Sequence, residues 1–173
     1  MNLRRITQAG DPDFKALTAL YTEAFPAEER RETAQLERML EEEPRMHFHV
    51  VEIGGKRAGL FVYWDFGTFY YLEHLAVYAE MRNQKIGQQV LDWMREHLGG
   101  LRLLEAEPAE TDITTRRVRY YERNGYRVLD KEYRQPSYRP GGEGCALWVM
   151  GNRTEEGLAE KLETIRQAVY ERQ

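Results

Sequence analysis

A mixed α/β fold built on one sheet follows from three features of the chain. Three β-rich runs, His47–Ile53, Ala58–Asp65 and Phe69–Val77, are joined by turns too short for anything but hairpins, which makes an antiparallel meander. Apolar residues then recur at Ile86, Val90, Met94 and Leu98, the step of an amphipathic helix. That helix separates Phe69–Val77 from a further β-rich run, Leu101–Ala106, and a helical crossover is what lets two strands lie parallel. The predicted order is β-α-α-β-β-β-α-β-α-β-β-α.

Each element has its own signals. Leu3–Thr7 reads as a short strand. Asp11 is placed to cap a helix whose first residue is Pro12 and whose apolar face carries Phe14, Leu17, Tyr21, Ala24 and Phe25, with Pro26 interrupting it. Thr33 opens a second helix with Leu36, Met39 and Leu40 on one side, ending before Pro44. Gly54-Gly55 and Phe66-Gly67-Thr68 are the turns of the meander, and Gly99-Gly100 stops the third helix. Thr114–Asn124 is a helix closed by Gly125. Tyr126–Tyr133 and Cys145–Met150 read as strands around a Pro/Gly-rich loop over 135–144. Asn152–Gln173 reads as a final helix with Leu158, Leu162, Ile165 and Val169 on one face, which either covers the chain's own core or pairs two copies in a homodimer. No repeat, low-complexity segment or linker interrupts the chain. It therefore reads as one domain over 1–151, with 152–173 packed on it.

Composition excludes several function classes. The 173 residues are 42% hydrophobic and 31% charged, as expected of a globular chain. No apolar run reaches the ~18 residues of a membrane span, and the first residues lack the apolar core of a signal peptide, so a cytoplasmic protein without membrane contact is expected. Cys145 is the lone cysteine and sits in an apolar run, which rules out an internal disulfide and favours an inert thiol. His47 and His49 share a strand face, but no third ligand sits at metal-binding spacing, and no metal is expected. The net charge of −4 resides in residues 1–43, with 10 acidic and 6 basic side chains, whereas residues 116–139 hold 8 basic and 3 acidic ones. A local basic patch on an acidic protein suits a small polyanion and argues against nucleic acid.

The most informative stretch runs from Tyr71 to Leu91. A strand ends, a short polar loop follows, and a helix begins near Ile86-Gly87. The first turn of such a helix carries unpaired N–H groups and about half a positive charge, and Arg82 and Lys85 add cations, so the expectation is a phosphate cradle. Downstream, Glu105, Glu107, Glu110 and Asp112 form an acidic cluster, which favours a cationic substrate or neutralises Arg116 and Arg117.

Arg82-Asn83-Gln84-Lys85-Ile86-Gly87 resembles the acyl-CoA-binding loop of the GNAT superfamily of N-acetyltransferases, Arg/Gln-x-x-Gly-x-Gly/Ala, with Lys85 in place of the first glycine. Leu75-Ala76-Val77 and Glu80 match the strand end before that loop, and Tyr120-Tyr121-Glu122-Arg123-Asn124-Gly125-Tyr126 resembles the family's Phe-Tyr-Glu-x-x-Gly-Phe. With the flanking elements, including Phe25-Pro26, the similarity covers about residues 1–150. It implies a central mixed sheet of about seven strands with helices on both faces, and an acetyl-CoA-dependent N-acetyltransferase acting on a primary amine. The alternative in the same fold is a CoA-binding or regulatory module without catalysis.

The resemblance further implies a V-shaped gap between Phe69–Val77 and Leu101–Ala106. Acetyl-CoA would lie there against Leu75, Ala76, Val77, Arg82, Asn83, Gln84, Lys85, Ile86, Gly87 and Gln88, its pantetheine arm pairing with backbone groups of Leu75 and Val77. Lys85 either weakens a close approach to the pyrophosphate or adds a phosphate contact. Tyr121 takes the role of general acid toward the leaving thiolate, and Tyr120, about 100° away on the helix, faces elsewhere. For the general base the order is Glu105, then Glu73, ahead of His74 and Glu107. Glu73 and His74, adjacent on a strand, are expected on opposite faces. The identity of the amine is not written in the sequence.

Overall fold

In the computed structural model, which describes residues 1–171, short turns and alternating side chains close the meander first. Its strands are β2 (Met46–Ile53), β3 (Lys56–Asp65) and β4 (Phe69–Val77), preceded by β1 (Asn2–Ile6) on the edge. β5 (Leu101–Ala106), β6 (Arg127–Asp130) and β9 (Trp148–Gly151) complete a seven-stranded sheet ordered β1-β2-β3-β4-β5-β9-β6. Only β4 and β5 pair parallel, across the helical crossover. α1 (Phe14–Ala24), α2 (Thr33–Glu42) and the C-terminal segment cover one face, burying Leu17, Tyr21, Leu36 and Val169 against Phe48, Val62, Trp64 and Tyr71. α3 (Ile86–His97) and α4 (Asp112–Arg123) cover the other, burying Val90, Met94 and Val118 against Phe61, Leu72 and Leu104. The mixed sheet flanked on both faces is the expected architecture.

Local chemistry moves several boundaries. α1 starts at Phe14, not Pro12, because the Asp11 carboxylate accepts the Asp13 N–H at 2.9 Å and binds Arg4, holding residues 11–13 in a turn. α4 starts two residues early because Thr111 and Thr114 form a reciprocal capping box. Gly125 follows α4 at φ +83°, the left-handed geometry a helix end uses. The long strands expected over 126–133 and 145–150 are broken: β6 and β9 stay in the main sheet, while β7 (Arg134–Gln135) pairs with β8 (Cys145–Ala146) as a separate ribbon. The expected C-terminal helix is α5 (Leu158–Ile165) alone, continued by a π-helical turn at Arg166–Tyr170; its expected last residues, 172–173, lie outside the described residues. Ile165 and Val169 are buried, and Leu158 and Leu162 pack against the same core.

The β4–β5 ladder runs from Phe69↔Leu101 to Leu72↔Leu104 and stops. Beyond it, β4 stays paired to β3, and β5 to β9. The cause is a bulge in β4: Tyr63 opposes Leu72 while Val62 opposes His74, leaving Glu73 as the extra residue. An extra residue bends and twists its strand, turning β4 away from β5. It also shifts the alternation, so Glu73 and His74 lie on the same face, Nε2 of His74 being 3.6 Å from Oε1 of Glu73. The expectation of opposite faces fails because it assumed a regular strand.

Glu73 is locked in place. Its carboxylate pairs with Arg31 and accepts from Nε1 of Trp64 at 2.7 Å and from the Tyr138 hydroxyl at 2.8 Å. Arg31 is itself buried, lies under the Tyr138 ring at 4.9 Å, and donates through Nη2 to the Val169 carbonyl at 2.6 Å. Burial raises the Glu73 pKa, but Arg31, His74 and the hydrogen bonds outweigh it and hold the carboxyl below its ordinary value.

The loop between β4 and α3 holds Asn83 and Lys85 at φ +65° and +56°. Lys85 caps α3 in the left-handed region, at the position where the resembling family has glycine. Glycine is favoured there by backbone conformation, and the exposed Lys85 side chain leaves the loop path intact at a conformational cost.

Two stability outcomes follow. Glu73→Gln leaves Arg31 buried without its counter-charge and should cost about 3–5 kcal/mol, lowering the melting temperature by about 10 °C in calorimetry. Because the folded pKa of Glu73 is depressed, wild-type stabilisation from this pair is complete above the ordinary value of 4.5 and disappears as pH falls through the lower folded value, a dependence the variant should lack. Lys85→Gly relieves the left-handed strain while giving back some unfolded-chain entropy, and should stabilise by about 0.5–1 kcal/mol.

Candidate active site at the β4–β5 split

The split opens onto two cavities that share Val77 and Arg82. The first, of about 810 Å³, lies at the start of α3 and is lined by the Arg82–Gly87 loop, Gln88 and the end of α4. Its charged lining is entirely cationic: Arg82, Lys85, Arg95 and Arg123. Together with the first N–H groups of α3 it matches a phosphate-bearing ligand. Gly87 keeps the floor thin, since a Cβ there would lie 3.3 Å from the Tyr120 hydroxyl. That hydroxyl is buried with no hydrogen-bond partner among the described residues, an orphaned donor beside the expected phosphate path.

The second cavity, of about 500 Å³, occupies the split itself, between β4 residues 71–77 and β5 residues 104–107. Phe25 and Pro26 overhang it from the end of α1, and Tyr121 reaches it from α4. Tyr120 and Tyr121 thus face different cavities, as adjacent helical positions require. Burial pushes the Tyr121 phenol above its ordinary value, with Arg117 opposing, so it is held protonated.

The β4 backbone is open toward the split. The Tyr78 N–H donates to Ala58 of β3 at 3.0 Å, and a Cβ on Gly59 would meet the Ala76 carbonyl oxygen at 2.1 Å, so residues 76 and 78 turn their backbone groups to β3. Alternation then directs those of Leu75 and Val77 into the gap. These are the open groups that the expected pairing of an amide-bearing chain with Leu75 and Val77 would use, whereas Ala76 contributes lining only. Gln84 lines neither cavity; its side chain is exposed near Met81. Asn83, Lys85, Ile86 and Gln88 line the cationic cavity, and Gln88 Nε2 donates to Asn124 at 2.5 Å, joining α3 to α4.

All four base candidates line the second cavity, in different states. Glu73 is consumed by Arg31, Trp64 and Tyr138. Glu107 pairs with Arg117 at the rim, so Arg117 neutralises an acidic neighbour and does not line the phosphate-suited cavity. Arg116 is exposed. His74 packs on Phe25 at 4.3 Å, its Nε2 is 3.3 Å from the Tyr21 hydroxyl, and burial lowers its pKa to about 4, leaving it neutral. Glu105 has no cation beside it; burial raises its pKa against the hydrogen bonds it accepts. Its Oε2 accepts from Gln135 at 2.7 Å and from the Tyr170 hydroxyl at 2.8 Å, while Oε1 is buried with no partner among the described residues.

Sequence reasoning missed Arg95, Arg123, Asn124, Gln135 and Tyr170. Arg123 lies one helical turn from Tyr120, so its presence in the same cavity was readable from spacing. Gln135 and Tyr170 are 30 and 65 residues from Glu105 and carry no local signal. Cys145 is half-buried, donates to Oε1 of Gln135 at 3.3 Å, and has its pKa raised by burial, in keeping with an inert thiol. Among the described residues no group of three or more His, Cys, Asp or Glu is placed to hold a metal, and no helix is long and apolar enough to cross a membrane.

Known proteins carry the same architecture. A putative acetyltransferase of the GNAT family from Bacteroides thetaiotaomicron superposes with a TM-score of 0.92 at 27% identity, over 98% of each chain. A GNAT family acetyltransferase from Elizabethkingia anophelis, solved with acetyl-CoA bound, shares the fold at a TM-score of 0.56 and 16% identity, over 87% of this chain and 95% of that one. Ribosomal-protein-alanine N-acetyltransferase from Brucella melitensis does so at 0.60 and 19%, over 87% and 98%. No curated protein sequence gives a significant match. The model of the acetyltransferase (GNAT) family matches residues 14–126, and the chain belongs to that family.

Proposed function

We propose that this protein transfers an acetyl group from acetyl-CoA to a primary amine of a small molecule or peptide, by direct attack within a ternary complex. The observation that carries the reading is the junction of the two cavities at Val77 and Arg82: a cationic pocket suited to a nucleotide diphosphate opens into a gap that ends between Tyr121 and Glu105. The acetyl-CoA bound to the Elizabethkingia relative supports the choice of cosubstrate. Acetyl-CoA supplies the activated thioester. Arg82, Lys85, Arg95 and Arg123 hold its phosphates, and the open backbone groups of Leu75 and Val77 align its pantetheine amides along β4.

The amine arrives as an ammonium ion, since an alkyl amine has a pKa of about 10.4. Glu105 takes one proton from it. The freed nitrogen attacks the thioester carbonyl, forming a C–N bond, and an open β4 N–H stabilises the oxyanion. As the C–S bond breaks, the Tyr121 hydroxyl protonates the departing sulfur, and the remaining excess proton on nitrogen returns to the tyrosine. The products are the N-acetyl amide, CoA thiol and one proton on Glu105, which passes to solvent. Glu73 is excluded as base because Arg31 and two further donors occupy its oxygens.

Isothermal titration with CoA should show binding that weakens as salt rises, and Arg123→Ala should reduce affinity about tenfold. No heat at millimolar CoA would sink the reading. With acetyl-CoA and an amine panel monitored by thiol release, Tyr121→Phe should lower kcat about 100-fold while leaving CoA affinity unchanged. Binding without thiol release from any amine would favour a non-catalytic CoA-binding module.

A further inference from the structure

The C-terminal segment lies beyond the residues matched by the family model, yet one of its side chains touches the carboxylate at the centre of the split. We propose that Tyr170 is a positioning residue for Glu105: together with Gln135 it fixes one carboxylate oxygen by hydrogen bonds and leaves the other free to accept the proton of the amine. The inference rests on the role given above to Glu105 and extends it to residues that nothing in the family match assigns.

Donor bookkeeping supports it. Cys145 donates to Oε1 of Gln135, which fixes the orientation of that amide and turns its two N–H donors the other way. One goes to Oε2 of Glu105 and one to the Tyr170 oxygen, at 3.0 Å. Tyr170 has a single proton, which it gives to Oε2, so its oxygen accepts from Gln135 and from Tyr71, 2.8 Å away. The two hydrogen bonds donated to Glu105 thus converge on Oε2, while the Tyr133 hydroxyl, also beside the carboxylate, is buried and closes no hydrogen bond among the described residues. Oε1 is left buried and unpartnered, a state that is costly unless a ligand supplies the missing donor. An ammonium in the split would supply it.

Packing alone does not require the hydroxyl. The Tyr170 ring lies against Tyr138 at 4.8 Å between centroids, a contact phenylalanine would keep. The ring is also held from the other side of the split: Arg31, the partner of Glu73, donates to the carbonyl of Val169. The groups facing Glu105 are Tyr71 from β4, Tyr133 after β6, Gln135 from β7, Cys145 from β8 and Tyr170. None carries a positive charge, so hydrogen-bonding groups alone, Tyr133 first and then Tyr170, Gln135 and Tyr71, oppose the upward push of burial on Glu105.

The test is a pH profile of kcat/KM for amine acetylation. Tyr170→Phe should move the acidic limb upward by about one pH unit, with CoA affinity within twofold of wild type. Gln135→Met should shift it the same way and decides the matter if the tyrosine variant does not fold. In a Glu105→Gln background, Tyr170→Phe should produce no further loss in kcat. An unmoved acidic limb in a folded variant, or an equal loss with and without Glu105, would overturn the inference. Full activity of Glu105→Gln would overturn it too, while leaving CoA-dependent acetylation itself standing.

Discussion

The site depends on one buried ion pair, Arg31 with Glu73, at the extra residue of β4. Without the bulge, β4 would continue beside β5 in register, and the backbone groups of Leu75 and Val77 would be spent on that ladder. The pair is a poor source of net stability, because desolvating two charges consumes most of their attraction and an apolar pair would do as well or better. What it supplies is position. Arg31 follows α1, Glu73 is in the central strand and Val169 is near the C-terminus, and one guanidinium holds all three. Trp64 and Tyr138 complete the carboxylate's hydrogen bonds, so the bulged residue has one arrangement in which every polar atom of its side chain is satisfied.

Charge is partitioned on either side of that bulge. Cations from α3, α4 and the preceding loop gather at the first cavity, while the second holds four glutamates, Glu29, Glu73, Glu105 and Glu107. Arg31 and Arg117 neutralise two of them. The proposed anionic cosubstrate and cationic acceptor would each meet the opposite sign.

Much of the fold was readable because hydrophobic period and turn chemistry are local. The meander, the crossover helix and the parallel β4–β5 pair were each implied by spacing within a few dozen residues. That Tyr120 and Tyr121 do not share a site follows from helix geometry, while the choice of Tyr121 for the split came from the family resemblance. The failures share a different cause. Asp11 looked like a helix cap, but Arg4 from β1 competes for its carboxylate. A regular strand puts Glu73 and His74 on opposite faces, and a bulge has no sequence signature in a run such as Tyr71-Leu72-Glu73-His74-Leu75. The two readings of Lys85, a weakened ligand approach or an added phosphate contact, concern its side chain, whereas its positive φ is visible only once the loop path is known. Gln135 and Tyr170 reach Glu105 through tertiary packing, which no window on the sequence contains.

Glu73 and Glu105 show how such packing divides labour between like residues. Both are buried carboxylates, and both line the same cavity from neighbouring strands. Glu73 faces a guanidinium, and three donors bind its two oxygens, so the ionised form is held firmly. Glu105 faces only neutral groups, its two hydrogen bonds fall on one oxygen, and burial raises its pKa. Two carboxylates whose surroundings push their affinities for a proton in opposite directions are the usual arrangement when one is a fixture and the other exchanges protons. A substitution that brought a cation to Glu105 would therefore convert it into a second structural carboxylate, and removing the cation from Glu73 would not make a base of it, because Trp64 and Tyr138 would still occupy its oxygens.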